Sequence, residues 1–80
     1  MRIYVRLYAS LERYMPVEKE RSSFHGMEVE EGTTVGEFLR TLLVPIDTVK
    51  LIFLNGIHAE VGQILREGDR LGVFPPVAGG

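Results

Sequence analysis

Ile3, Val5 and Leu7 share one parity along the chain, and Arg2, Tyr4, Arg6 and Tyr8 share the other. A period of two predicts a half-buried strand at the start of the sequence. Ala9 to Pro16 is a short apolar-polar stretch ended by proline, long enough for one helical turn. Residues 17–23 are charged and without period, and read as a loop. Strand character resumes from Phe24 to Glu30, where Met27 and Val29 alternate with Glu28 and Glu30; Gly26 marks a bulge or the strand's start. The period then changes. Val35, Phe38, Leu39, Leu42 and Leu43 fall at i, i+3, i+4, i+7 and i+8, which is one face of an α-helix. Thr34-Val35-Gly36-Glu37 before them has the capping-box spacing, with a hydroxyl for the N3 amide and a carboxylate for the N-cap amide. Pro45 stops the helix near Leu43 by pushing its predecessor out of helical geometry.

Beyond the helix, Val49 to Leu54 is nearly all apolar and rich in strand formers, as for an interior strand covered on both faces. Asn55-Gly56 is the strongest short hairpin signal, because both residues tolerate the positive φ of a type I′ turn. Ile57 to Val61 is the returning strand. Gly68-Asp69 is a further turn, and Arg70 to Phe74 a last strand with Leu71 and Val73 on one parity. Pro75 and Pro76 end sheet pairing, since neither has an N–H to donate. One amphipathic helix needs an apolar sheet face to cover, so strand, strand, helix, strand, strand, strand folds economically as an α+β roll. The first two strands pair directly and the helix crosses over to a strand beside the first. That is the β-grasp arrangement of ubiquitin-like proteins: a mixed sheet of four to five strands on one main helix. The expected organisation is one domain over residues 1–76 and a flexible tail over 77–80.

Composition narrows the function. A chain of 80 residues buries only about two-thirds of the surface its unfolded form exposes, so the core must be simple. No apolar run approaches the roughly 20 residues that cross a bilayer, and the opening strand lacks the apolar block of a signal peptide. With no cysteine there is no disulfide, thiolate nucleophile or cysteine-ligated metal site, which fits a cytoplasmic location. A net charge of −2 without a Lys/Arg cluster argues against nucleic acid. An enzyme's apparatus is also missing: no Gly-rich phosphate loop, no paired histidines on a helix, no nucleophile elbow. His25 and His58 are lone histidines near turns and read as exposed or structural. The chain does not read as a catalyst, and no metal ligands are expected.

The tail stands out. Chance ends a chain in Gly-Gly at roughly 0.5% frequency for about 7% glycine usage, and frayed or accidental ends are the bland reading. Its context favours function, because Pro75-Pro76 project Val77-Ala78-Gly79-Gly80 stiffly beyond the last strand. Two residues without side chains can enter a narrow tunnel and bring the backbone close to another protein's active site. A carboxylate is a poor electrophile, and activation converts it to a mixed anhydride such as an acyl-adenylate. A protein offering such a group is a cosubstrate, with catalysis supplied by its partners.

At this point the sequence resembles the MoaD/ThiS family of ubiquitin-like sulfur carriers, over essentially its whole length, and its molybdopterin synthase small-subunit branch in particular. The elements are the opening strand with Tyr8-Ala9-Ser10-Leu11-Glu12-Arg13, the Thr34-Val35-Gly36-Glu37-Phe38-Leu39 helix start, Leu54-Asn55-Gly56, and Leu65-Arg66-Glu67-Gly68-Asp69-Arg70-Leu71. Phe74-Pro75-Pro76-Val77-Ala78-Gly79-Gly80 is the most specific. The resemblance implies that Gly80 is adenylated by a ubiquitin-activating-like adenylyltransferase using ATP, then converted to a thiocarboxylate with a sulfur donor enzyme. It implies Gly79 as the slender residue behind, Pro75, Pro76, Val77 and Ala78 as the threaded tail, and the molybdopterin synthase large subunit as acceptor. No tightly bound cofactor, nucleic acid or membrane is implied. The thiazole, cysteine or tRNA-thiolation routes, a ubiquitin-like modifier and a plain interaction domain stay open as destinations.

Parity also suggests where partners dock. Phe74 lies opposite Leu71 and Val73, and Tyr4 and Tyr8 lie opposite Ile3, Val5 and Leu7; Ile52 and Leu54 join them in this reading. Together they would form an apolar patch on the sheet face away from the helix.

Overall fold

The computed structural model describes residues 1–16 and 23–76. The expected loop over 17–23 lies outside the described residues except for Ser23, and so does the tail from Val77 to Gly80. Five strands form one mixed sheet: β1 (Arg2–Leu7), β2 (His25–Glu28), β3 (Leu51–Leu54), β4 (Ile57–His58) and β5 (Arg70–Phe74), in the order β2-β1-β5-β3-β4. One α-helix, α1 (Val35–Thr41), and two 3-10 helices (Ala9–Tyr14 and Ile46–Thr48) complete the elements of the described residues. The first 3-10 helix is the helical turn expected after β1.

β1 and β2 pair antiparallel from Arg2↔Glu28 to Val5↔His25. Gly26 is neither a bulge nor the strand's start, since it pairs in regular register with Tyr4. The strand beside β1 on its other side is β5, not the strand that follows the helix. They run parallel, from Tyr4↔Arg70 to Leu7↔Val73. The crossover strand β3 pairs antiparallel on the far side of β5, from Leu51↔Phe74 to Leu54↔Leu71. The sheet therefore has β5, its last strand in sequence, at its centre.

Alternation in β1 works as the pattern predicts: Ile3, Val5 and Leu7 are fully buried and meet Leu71 and Val73 in the core. The helix adds Val35, Phe38 and Leu39 from the opposite side, and Leu11, Met15, Val44, Ala59 and Leu65 close the edges. The capping box forms: Glu37 N–H donates to Thr34 Oγ1 at 3.1 Å, and Thr34 N–H donates to Glu37 Oε1 at 2.9 Å. A helix of seven residues is too short to persist alone, so packing and capping hold it.

Its C-terminus departs from the expected face. Leu42 caps the helix, and Leu43 takes a left-handed conformation with φ 66°. Leu43 N–H donates to Arg40 C=O and Val44 N–H to Leu39 C=O, both at 3.0 Å, which is the Schellman closure. The reversal turns Leu43 into solvent, 79% exposed, and brings Val44 into the core in its place.

β3 is likewise not covered on both faces. Ile52 and Leu54 point into the core, whereas Leu51 is exposed and Phe53 half-buried on the other side. The turn after it is as expected, with Asn55 at φ 54° and Gly56 at φ 82°. The returning strand is shorter than predicted. Ala59 N–H still donates to Ile52 C=O, but the chain then turns away. Val61 and Gln63 carbonyls accept from Gly36 and Val35 N–H, and Ile64 bridges Thr34. Those amides have no partner inside the helix, and the diverted segment supplies one.

Buried Asp69 ties the two turns together. It accepts from the Asn55 side-chain amide and from Arg66 N–H, each at 2.9 Å, while Asn55 Oδ1 accepts from Arg70 N–H at 3.0 Å.

Candidate docking face and tail root

Among the described residues the helix covers one face of the sheet and leaves the other open. Arg2, Tyr4 and Arg6 of β1, Gly26 and Glu28 of β2, Leu51 and Phe53 of β3, and Arg70, Gly72 and Phe74 of β5 share the open side by register. On it the aromatic rings gather at the end of β5. Tyr8 and Phe74 stack with centroids 4.0 Å apart and planes 11° from parallel. Phe53 meets Phe74 edge-on at 5.8 Å, and His58 meets Phe53 the same way at 6.0 Å. Gly72 makes room for this: a Cβ there would stand 3.4 Å from the Tyr8 ring and 3.9 Å from Phe74. The rings border an open hollow of about 600 Å³, with Phe24, Asn55, Gly56 and Arg70 on its other sides.

Two guanidinium groups sit over aromatic rings on this surface. Arg6 sits 4.2 Å over the Tyr8 ring, and Arg70 4.6 Å over Phe24. With the order β2-β1-β5, Arg70 must reach across β1 to meet Phe24 beside β2. The Arg6 Nε–H is buried without a hydrogen-bond partner. Arg2 differs, being paired with Glu28 at 3.1 Å.

The sequence-stated docking residues divide. Phe74 and Tyr8 form the heart of the hollow, and Tyr4 is exposed on the same face two residues before Arg6. Ile52 and Leu54 do not belong to it: each is only 5% exposed and faces the core. Parity places them otherwise, since pairing of Ile52 with Val73 and Leu54 with Leu71 fixes them on the helix side. Phe53, their neighbour, takes the outer place. Phe24, Arg6, Arg70 and Gly72 were not singled out either. The signal for Arg6 and Arg70 was present, because they share parity with Tyr8 and Phe74.

The chain leaves the sheet from this cluster. Lys50 N–H donates to Phe74 C=O at 2.8 Å, the last sheet bond of β5, and Pro75 and Pro76 follow without strand pairing. Val77, Ala78, Gly79 and Gly80 lie outside the described residues. Neither His25 nor His58 belongs to a metal-binding group: among the described residues no group of three or more His, Asp or Glu could hold a metal ion. No described helix is long and apolar enough to cross a membrane.

A mixed sheet with a parallel central pair, one capped helix across it and an open opposite face define a ubiquitin-like β-grasp protein. The chain belongs to the Mut7-C ubiquitin family, whose model matches residues 1–79. No curated protein matches it. Among solved structures it is similar to the small archaeal modifier protein SAMP1 of Haloferax volcanii, with 25% identity, full coverage of both chains and a TM-score of 0.70. A putative molybdopterin converting factor subunit 1 from Pyrococcus furiosus shares 22% identity over 96% of this chain and 99% of that one, at a TM-score of 0.69. One chain of the Helicobacter pylori molybdopterin-converting factor, solved as a complex of subunits 1 and 2, matches at 20% identity with full coverage of both chains and a TM-score of 0.60. The last two likenesses establish the shared fold.

Proposed function

We propose that this chain is a sulfur carrier whose working group is a free Gly80 carboxylate, and that its destination is molybdopterin synthesis. The observation that carries the reading is the continuity of β5 with the tail. The central strand ends at Phe74 in the aromatic hollow, Pro75-Pro76 leave the sheet there, and Val77-Ala78-Gly79-Gly80 follow in sequence. A partner seated on the open face would thus hold the root of the segment whose end it must reach. The carboxylate attacks the α-phosphorus of ATP on an activating enzyme, giving the acyl-adenylate and pyrophosphate. A sulfide equivalent from a donor enzyme then displaces AMP and leaves the thiocarboxylate. No catalytic group of this chain enters either step, consistent with the absence of a nucleophile-base pair in its sequence. The likeness to molybdopterin converting factor subunit 1, and to a subunit 1 solved with its subunit 2, supports a large-subunit acceptor.

A second reading has support of its own. The likeness to a small archaeal modifier protein favours transfer of the activated Gly80 to a lysine as an isopeptide. Intact-protein mass spectrometry separates the two. The chain ending at Gly80 is incubated with ATP, an activating enzyme and a sulfur source. Replacement of one oxygen by sulfur, lost when Gly80 is deleted, is the carrier outcome. Lysine-linked adducts without that replacement give the modifier. An unchanged mass with several competent activating enzymes overturns both.

A further inference from the structure

We infer that the open face seats an acidic protein segment, with an apolar side chain in the hollow between Phe24, Phe53 and Phe74 and flanking carboxylates on Arg6 and Arg70. The inference rests on the reading of this face as the carrier's docking side, and it specifies the chemistry of what docks.

Charge is the first observation. The chain has eleven carboxylates against nine lysines and arginines, yet among the described residues Arg70 is the one charged residue lining the hollow, and Arg6 lies beside it over the Tyr8 ring. Arg2 is neutralised locally by Glu28. Arg6 and Arg70, among the described residues, have no carboxylate partner and rest on aromatic rings instead. The second observation is how they rest. A guanidinium held over a ring is attracted by the ring's electrons and not by a hydrogen-bond acceptor, so its N–H donors stay available for a carboxylate. The Arg6 Nε–H is in fact buried and unbonded, a group whose hydrogen bond is still to be made. In-plane forks fit carboxylates in bidentate fashion.

The third observation is position. Arg6 pairs with Gly72, and Arg70 lies two residues earlier on β5, so the two are diagonal neighbours across the parallel pair. Gly72, without a side chain, lets the Tyr8 and Phe74 rings pack close to the sheet between them, and these rings line the hollow that an incoming apolar group would enter. Aromatic rings with arginines also suit unstacked nucleic acid bases. Net negative charge and, among the described residues, only two cations on the face without a carboxylate partner disfavour a polyphosphate backbone, so the occupant is an acidic polypeptide.

The test is titration of the 15N-labelled full chain with the peptide Asp-Glu-Leu-Phe-Glu-Asp and with its Asn/Gln counterpart. The acidic peptide should shift the amides of Tyr8, Phe53, Gly72 and Phe74 and the Nε–H signals of Arg6 and Arg70. The amide peptide should bind at least tenfold more weakly, and added salt should narrow the gap. The double variant Arg6→Gln/Arg70→Gln should lose the preference while keeping its folded spectrum. Arg6→Lys/Arg70→Lys, which retains charge without the fork, should recover it only in part. Equal affinity for the two peptides, shifts away from this face, no response at millimolar peptide, or tighter binding of an oligothymidine would each overturn the inference. The same titration of a chain lacking Gly79 and Gly80 should be unchanged. Acidic binding with no thiocarboxylate would therefore count against the carrier reading alone.

Discussion

Leu43 shows how a single residue can oppose its own local geometry. The Schellman turn needs a left-handed residue directly after the helix cap, a position glycine fills without steric cost. Leu43 occupies it at φ 66° with its side chain in solvent, so it contributes little burial against that strain. The left-handed conformation costs an L-residue roughly 1–2 kcal/mol, and the greater unfolded-state freedom of glycine offsets part of it. Leu43→Gly should therefore stabilise the domain by about 0.5–1 kcal/mol, read as a rise of roughly 0.5–1 M in the urea midpoint at an m-value of about 1 kcal/mol/M. At the same scale, Phe74→Asp places a carboxylate in the Tyr8–Phe53 cluster. It forfeits aromatic pairs worth about 0.5–1.5 kcal/mol each, so the domain should remain folded but weakened. ATP–pyrophosphate exchange with the activating enzyme should nevertheless fall at least tenfold for the folded variant. An unchanged exchange rate would remove Phe74 from the docking side.

Among the elements, α1 depends most visibly on its ends. With seven residues it has little intrinsic stability, and the Thr34–Glu37 box together with the Val61 and Gln63 carbonyls satisfies its first amides. Thr34→Ala should cost about 1 kcal/mol in urea denaturation. Thr34→Ser, which keeps the accepting oxygen, should cost less than half as much. The strands show the complementary limit. β4 has only two residues because the chain beyond Ala59 is drawn to the helix N-terminus, a demand made by another element and not written in Ile57–Val61 itself.

At the scale of the molecule, stability concentrates where β1 and β5 run parallel beneath the helix. Leu71 lies there, fully buried and paired with Val5. Leu71→Ala should cost about 2–5 kcal/mol, a large fraction of the total for a domain this small. Denaturation would show a correspondingly lower midpoint, in contrast to substitutions on the open face. The two faces of one sheet thus divide the work. The covered face carries the fold, and the open face presents rings, arginines and the root of the tail.

Much of this was legible in the residues. The alternation of Ile3, Val5 and Leu7, the Thr34–Glu37 spacing, Asn55-Gly56 and the diproline after Phe74 each fix a local outcome, because the deciding interactions lie within a few residues. They were enough to reach the β-grasp class and to place Tyr8 and Phe74 on one side. What the residues could not settle was relational. Ile52 and Leu54 are as apolar as Phe53, and only pairing with Val73 and Leu71 assigns them to the core and Phe53 to the open face. Nor does the sequence say that β5 lies between β1 and β3, which is what brings Arg70 across to Phe24. Burial against distant partners decides such matters, because a strand's two faces are equivalent until something packs on one of them.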